Sequence, residues 1–338
     1  PLLKRSLAIV KAHRPDHPHV ATTLSNLALL YSDQDEHLKA LHFARRATAI
    51  YRRRGNARSA SKSISAESER KDNLYYFKEH ASTAFMAGKA DPSQATTLHE
   101  EAFEIIQLAQ TSSAAFALAQ MTARIKSGNT ILARTIRSQQ DLLGRWRKLD
   151  KQLIGELSKP NDKRSPNQET QLRNDIKETS RTLDALNQQL EEEFPQYAEL
   201  VSSKPLPVTE VQKLLVTAEA LLLYNGRYAW VVLRDTFRMI DLGIDEEELA
   251  GAVSEIRASL NPLKGKVPPF PHSAAYALYK KIFEPIEAEL SGIRQVMVVP
   301  YGPLTSLPLS VLVRSSYTGD GEPEWLSKKY ALTTLPPV

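Results

Sequence analysis

Chemistry in a protein needs nucleophiles, bases or metal ligands at spacings that let them meet, and this sequence supplies few. Its eight histidines are His13, His17, His19, His37, His42, His80, His99 and His272, and it has no cysteine. Disulfides, thiolate metal sites and a cysteine nucleophile are therefore excluded within these residues. His17 and His19 flank Pro18, but a histidine pair at i, i+2 with no further ligand makes poor metal chemistry. His42 stands among arginines and reads as a surface residue. His272 is the one histidine of the strand-rich C-terminal region, and as a base it would need a nucleophile and an orienting partner that the sequence does not offer. Asp245, Glu246, Glu247 and Glu248 could attract a cation, yet consecutive carboxylates on a helix point around it, and a helix start explains them through the dipole. No G-x-x-x-x-G-K-[ST], G-x-G-x-x-G or G-x-S-x-G occurs. No catalytic, cofactor-binding or metal-ligating residue is assigned.

One stretch does have the form of a site. Residues 295–312, QVMVVPYGPLTSLPLSVL, begin with a β-branched run that ends at Pro300, as a buried parallel strand would. Pro300, Gly302 and Pro303 force a tight connection. Thr305 or Ser306 can cap a buried helix expected over 307–313. Strand, turn and helix form the corner where α/β proteins build sites. The hydroxyls there, Tyr301, Thr305, Ser306 and Ser310, have no histidine nearby, so the stretch reads as the frame of a site.

The elements that must position this frame fall into distinct regions. The chain has 338 residues, 42% apolar and 25% charged, which suits two or three domains with real cores. No apolar run approaches the roughly 20 residues that cross a bilayer, so no membrane is expected, and the lack of cysteine fits a cytoplasmic location. The chain opens inside an amphipathic pattern and ends on a strand-like run, which predicts a fragment at both ends. The net charge of +5 is uneven: Arg45, Arg46, Arg52, Arg53, Arg54 and Arg58 cluster. They could meet an acidic partner, but no aromatic residues interleave with them as single-strand binders require, which disfavours nucleic acid and favours a solvated helix face and basic loop.

LLKRSLAIVK, from residue 2, aligns with FARRATAIYR, from residue 43, and a helix over 20–32 lies between them with Leu24, Leu27, Ala28 and Tyr31 on one face. Ala40, Ala44 and Ala47 permit close helix approach. A repeated helix pair means a solenoid. These residues resemble tetratricopeptide repeats, and DHPHVATTLSNLALLY is similar to the longer-period variety of kinesin light chains. The resemblance implies a groove for a protein or peptide partner. Asn26 falls where that variety often places a groove asparagine, although a plain surface role fits equally.

Residues 56–72 are serine-rich and polar, a loop or weak helix. Helices resume over 73–88, 92–110 and 112–128 as a degenerate continuation of the solenoid. Leu132, Ile136, Leu143, Trp146, Leu153 and Leu157 keep a 4,3 spacing, as do Leu172, Ile176, Leu183, Leu186 and Leu190 with Thr179 in one slot. Two such arms predict an antiparallel coiled-coil hairpin; two helices of a bundle give the same pattern, and the length of the seams favours the hairpin. FPQYAELVSSKPLP (194–207) marks the main boundary. Beyond it a short helix over 208–215 precedes strands over 219–224, 228–233 and 237–242. Asn225-Gly226 gives the tight-turn signal of an antiparallel meander. Helices are expected over 245–260 and, kinked at Pro285, over 273–290, with a last strand over 330–335.

ALLLYNGRYAWVVLRDTFRMIDLG, LAGAVSEIRASL, ALYKKIFEPIEAEL and VMVVPYGPLTSLPLSVLV resemble the N-terminal portion of a CHAT domain, the caspase-like peptidase domain found with tetratricopeptide repeats. Pro300, Gly302, Leu304, Leu307 and Pro308 match its strand–turn–helix signature. The resemblance implies a cysteine peptidase with a His/Cys dyad after the matched region, so neither residue carries over. The expected fold is multidomain, α plus α/β: a helical tetratricopeptide-type solenoid over 1–130, an antiparallel coiled-coil hairpin over 131–200, and the N-terminal part of a caspase-like α/β sheet domain over 201–338. Either a partner-regulated peptidase or an interaction scaffold with an inactive peptidase-like domain satisfies the sequence.

Overall fold

A computed structural model describes residues 18–58, 64–110, 130–157, 159, 161–194, 205–260, 268–319 and 321–335. Among them the chain is mostly helical, with one small mixed sheet of five strands. The expected helix over 112–128 and the repeat stretch from residue 2 lie outside the described residues. Two compact units form: one gathers residues up to Glu79 together with those of 130–194, and the other gathers His80–Gln110 and the residues from Pro205 onward.

In the first unit, α1 (Pro18–Ser32) and α2 (His37–Arg58) pack as a pair. Leu24, Leu27 and Ala28 are buried with Ala40, Leu41, Ala44 and Ala47, so the small residues do let the helices approach closely. The turn between them is a Schellman closure: the Glu36 N–H bonds the Tyr31 carbonyl and the Asp35 N–H that of Ser32. Asp35 takes φ 57 there, a left-handed position that glycine usually fills. The start of α3 (Ile64–Ala90) adds Tyr76, which stacks on Tyr51 at 4.6 Å and donates to Thr22 Oγ1 at 3.3 Å.

The long helices α4 (Ala95–Gln110), α5 (Thr130–Leu157) and α6 (Pro166–Glu193) follow. α5 and α6 belong to the first unit and run antiparallel, since Leu132 and Ile136 meet Leu190 while Leu143 and Trp146 meet Leu183. Gln139, a break in the apolar seam, donates to Asn187 at 2.6 Å, and Trp146 donates to Ser180 at 3.0 Å. These polar layers fix register where apolar contacts alone would allow sliding.

The second unit is built on the sheet, in the order β3-β2-β1-β4-β5. β1 (Glu219–Asn225), β2 (Tyr228–Leu233) and β3 (Phe237–Asp241) form an antiparallel meander, and β4 (Gln295–Val299) and β5 (Ala331–Thr334) add in parallel beyond β1. Asn225 pairs with Tyr228, so Gly226 and Arg227 are the central turn residues, one step later than the Asn225-Gly226 signal suggests. Gly226 takes φ 56, as the first central residue of a type II′ turn must.

One sheet face buries Ala220, Leu222, Tyr224, Val231, Val296 and Val298 under α8 (Glu246–Leu260) and α9 (His272–Ile282). The other face carries Tyr228, Trp230 and Phe237. Phe85 of α3 lies 5.1 Å from the Tyr228 ring, Ser82 shares a 2.9 Å hydrogen bond with its hydroxyl, and Phe103 of α4 meets Phe237 edge-on. The short α7 (Val208–Leu214) ties to the meander through Gln212, which donates to the Leu233 carbonyl.

The helix expected over 273–290 with a kink at Pro285 is in fact broken, at Phe283. α9 ends at Ile282, α10 (Glu284–Glu287) follows, and a 3-10 turn completes the run. Pro285 has no N–H to continue the ladder. Ile286 bonds back to Phe283 instead of Ile282, and the freed Ile282 carbonyl accepts the buried Tyr224 hydroxyl at 3.1 Å. Tyr224→Phe is therefore expected to lower stability by about 1–2 kcal/mol by leaving that carbonyl unpaired. Ala218, at φ 70, holds a left-handed conformation before β1 while its carbonyl accepts from Arg294 and Gln295. Ala218→Gly should raise stability by up to about 1 kcal/mol, relief of strain outweighing the entropy of the added glycine. Urea unfolding checks both.

Candidate functional site

Two places could act on something else: the repeat surface of the first unit and the connector that leaves β4 in the second.

On the repeat, α1 buries its Leu24–Leu27–Ala28 side, which leaves Asn26 exposed. Leu30, one turn further, is 43% exposed, large for an apolar side chain on a packed helix pair. Tyr75 of α3 is exposed to a similar extent and packs edge-on against Tyr76. Asp33, after α1, acts on Glu79 of α3: burial first, and then the Asp33 charge, hold the Glu79 carboxyl above its usual range. Of the arginine cluster, Arg45 and Arg52 are exposed on α2 and Arg46 lies over the Phe43 ring. The side chains of Arg53, Arg54 and Arg58 lie outside the described residues.

The connector begins where β4 ends. Leu223 of β1 pairs with Val299, so Pro300–Gly302 leave at the carboxyl end of two parallel strands, the edge at which α/β sheets place sites. The structure corrects the helix expected over 307–313. Gly302–Ser306 and Leu309–Val311 are separate 3-10 turns. Pro308 offers no N–H and holds Leu307 extended, at φ −121, so no α-helix can propagate from Ser306. Nor do Thr305 and Ser306 cap one. Their hydroxyls donate back to the carbonyls of Gly302, at 2.7 Å, and Pro303, at 2.8 Å. Arg257 of α8 donates to the Ser306 carbonyl at 2.8 Å and fixes the connector from the other side. These hydroxyls serve the turn.

Three of the histidines make structural contacts. His272 sits among aromatic rings, 4.4 Å from Tyr317, 5.1 Å from Phe270 and 5.6 Å from Trp325. His80 is buried, with Nε2 2.9 Å from Glu101 Oε1. His99 stacks on Phe85 at 5.3 Å; burial first, and then the Arg238 charge, hold its pKa below the ordinary value. Asp245 caps α8 by accepting the Glu248 N–H at 2.7 Å, the helix-start role its sequence position suggests.

A polar cluster that the sequence did not reveal centres on one carboxylate. Glu287 of α10 accepts from Arg314 at 2.8 Å, from Lys329 at 2.5 Å and from Tyr330 at 3.3 Å, while its other oxygen takes the Tyr279 hydroxyl. Arg314 follows the bridge between Val313 and Trp325; Lys329 ends α11 (Leu326–Lys329); Tyr330 directly precedes β5. One carboxylate thus anchors the start of the edge strand. Burial pushes Glu287 up, but Lys329, Tyr279 and Arg314 together hold it below the usual carboxylate value. A depressed carboxylate contributes stability that is present above its unfolded pKa, about 4.3, and is lost as pH falls through the folded value. The wild-type protein should therefore lose stability on acidification below about pH 5 more steeply than Glu287→Gln, which should be less stable at neutral pH. Thermal melts from pH 3 to pH 7 compare the two.

Among the described residues no helix is long and apolar enough to cross a membrane, and no group of three or more His, Asp or Glu side chains gathers as a metal site would require. A family model described as tetratricopeptide repeat matches residues 1–53, the span that holds α1 and most of α2. No curated protein and no solved structure matches the chain. The segment 1–53 thus gives the chain a repeat of the kind that binds protein partners.

Proposed function

We propose that the chain is the recognition and scaffold portion of a tetratricopeptide–CHAT protein. The repeat binds an extended segment of a protein partner, with Asn26 hydrogen-bonding the partner's backbone and Leu30 and Tyr75 flanking it. The second unit is the N-terminal part of a caspase-like sheet domain. Its residues 300–308 support a peptidase site whose thiolate comes from elsewhere in the polypeptide that carries this segment, since these residues contain no cysteine. Partner binding to the repeat switches that activity. In this reading the domains run over 1–130, 131–200 and 201–338.

The observation that carries the proposal is the pairing, in one chain, of a matched partner-binding repeat with β1, β4 and β5 in parallel order and a Pro-x-Gly-x-Leu connector at the carboxyl end of β4. A second reading, an interaction scaffold with an inactive peptidase-like domain, draws on the connector hydroxyls, which are committed to backbone carbonyls.

The polypeptide carrying this segment should cleave peptides in the presence of its partner and lose that activity on thiol alkylation. Cleavage that survives alkylation, or none under any condition, removes the peptidase reading and leaves the scaffold. On the repeat, Asn26→Ala should weaken partner binding by about tenfold, the loss of one to two hydrogen bonds, with an unchanged melting temperature. Unchanged affinity would return Asn26 to an ordinary surface role.

A further inference from the structure

The α5–α6 hairpin carries a charge pattern that its own packing does not require. Over the distal portion, residues 144–177, the exposed cations are Arg145, Lys148, Lys151, Lys159, Lys163 and Lys177, and Asp162 is the one exposed carboxylate. Of the other carboxylates there, Glu169 and Asp175 are half-buried, with Glu169 4.0 Å from Arg173. Asp150 and Glu156 are buried, and Glu156 binds Lys159 and the Ser165 N–H, closing the hairpin tip. Toward the base the balance reverses, with Asp184, Glu192 and Glu193 exposed on α6.

A single stripe stands out in this basic region. Gly144, Lys148, Lys151 and Gly155 follow one another at 4, 3 and 4 residues, so they lie on a single face of α5, and all four are exposed. The face opposite is the Leu143–Trp146 seam that packs on α6. A glycine inside an exposed helix costs about 1 kcal/mol relative to alanine. Among the described residues nothing repays that cost: a Cβ built on Gly144 or on Gly155 meets no atom within 4 Å, and neither residue has positive φ. Lys148 and Lys151 lie in no ion pair with a carboxylate among the described residues.

We infer that this stripe is a docking seam for an acidic helix of a partner protein. Lysines at i and i+3 meet carboxylates repeated at the same helical spacing, and a glycine at each end lets the second backbone approach where longer side chains would hold it off. Charge complementarity favours an anionic partner. The helical spacing and the paired glycines favour a protein helix over nucleic acid, because a duplex reads a broad basic surface and gains nothing from small residues.

The test uses the whole chain and a fluorescent synthetic alanine-based helix with glutamates at i, i+3 and i+7. Binding, followed by anisotropy, should weaken as salt rises and fall at least tenfold in Lys148→Glu/Lys151→Glu. Gly144→Ala/Gly155→Ala should move two readouts in opposite directions, raising the melting temperature while weakening the peptide severalfold. Absence of peptide binding, or equal binding by wild type and both variants, overturns the proposal. So does tighter binding of an RNA duplex or of phosphatidylserine vesicles through the same lysines. Self-association abolished by Lys148→Glu/Lys151→Glu, seen by sedimentation, would assign the seam to a second copy and overturn it equally.

Discussion

The second unit depends on the parallel pairing of β1 with β4. A parallel pair cannot be closed by a hairpin, so the chain must leave the sheet and return, and both faces of the pair must be covered by what it leaves behind. Every later feature follows from that demand. β1 is flanked on both sides, and its residues from Leu222 to Asn225 are all buried. The crossover through α8, α9 and α10 covers one face, and His80–Gln110, more than a hundred residues upstream of β1, belongs to the same unit and covers the other. Tyr224 and Trp230, each with no exposed surface, mark how complete that cover is on the two faces.

The demand also shapes the places where the chain breaks its own regularity. α9 cannot simply extend to β4, because Pro285 interrupts it, and the sheet supplies the remedy: Tyr224 reaches out of β1 to the carbonyl that the break exposes. At the other end of β4 the two prolines of the connector stop any helix, and Arg257 returns from α8 to hold the turn. Edge strand β5 has no neighbour on its far side among the described residues, and a short strand so placed is weakly held. Glu287, drawing together two cations and two tyrosines, fixes the point at which it begins. The polar groups named here position backbone.

Much of this was legible because it is local. The β-branched runs of β1, β2 and β4, the acidic first turn of α8 and the 4,3 spacing of α5 and α6 each state their own structure through a period of 2 or 3.6. What could not be read is what each apolar face packs against. The stripe of Leu98, Ala102, Phe103 and Ile106 has the form expected of a repeat helix, yet Phe103 meets a strand, since a sheet and a helix accept the same apolar stripe. Glu287 was silent for a related reason: its partners lie at sequence distances from 8 to 43 residues, beyond any local pattern. The helix expected over 307–313 rested on the apolar run from Leu307 to Leu312 and a cap at Thr305 or Ser306, while Pro308 had already removed the means of forming one.

The contrast between the two units bears on what the chain does. In the sheet unit, reactive groups are spent internally: His80 on Glu101, His272 among rings, Thr305 and Ser306 on their own turn. In the first unit Asn26, Leu30 and Tyr75 on the repeat and Lys148 and Lys151 on α5 are exposed. Side chains that stabilise nothing in their own fold persist at a cost, in exposed apolar area or in like-charge repulsion, unless something outside the fold meets them. In the first unit that cost falls on Leu30 and Tyr75 of the repeat and on Lys148 and Lys151 of α5. The matched repeat, of a kind that binds protein partners, lies in that helical unit.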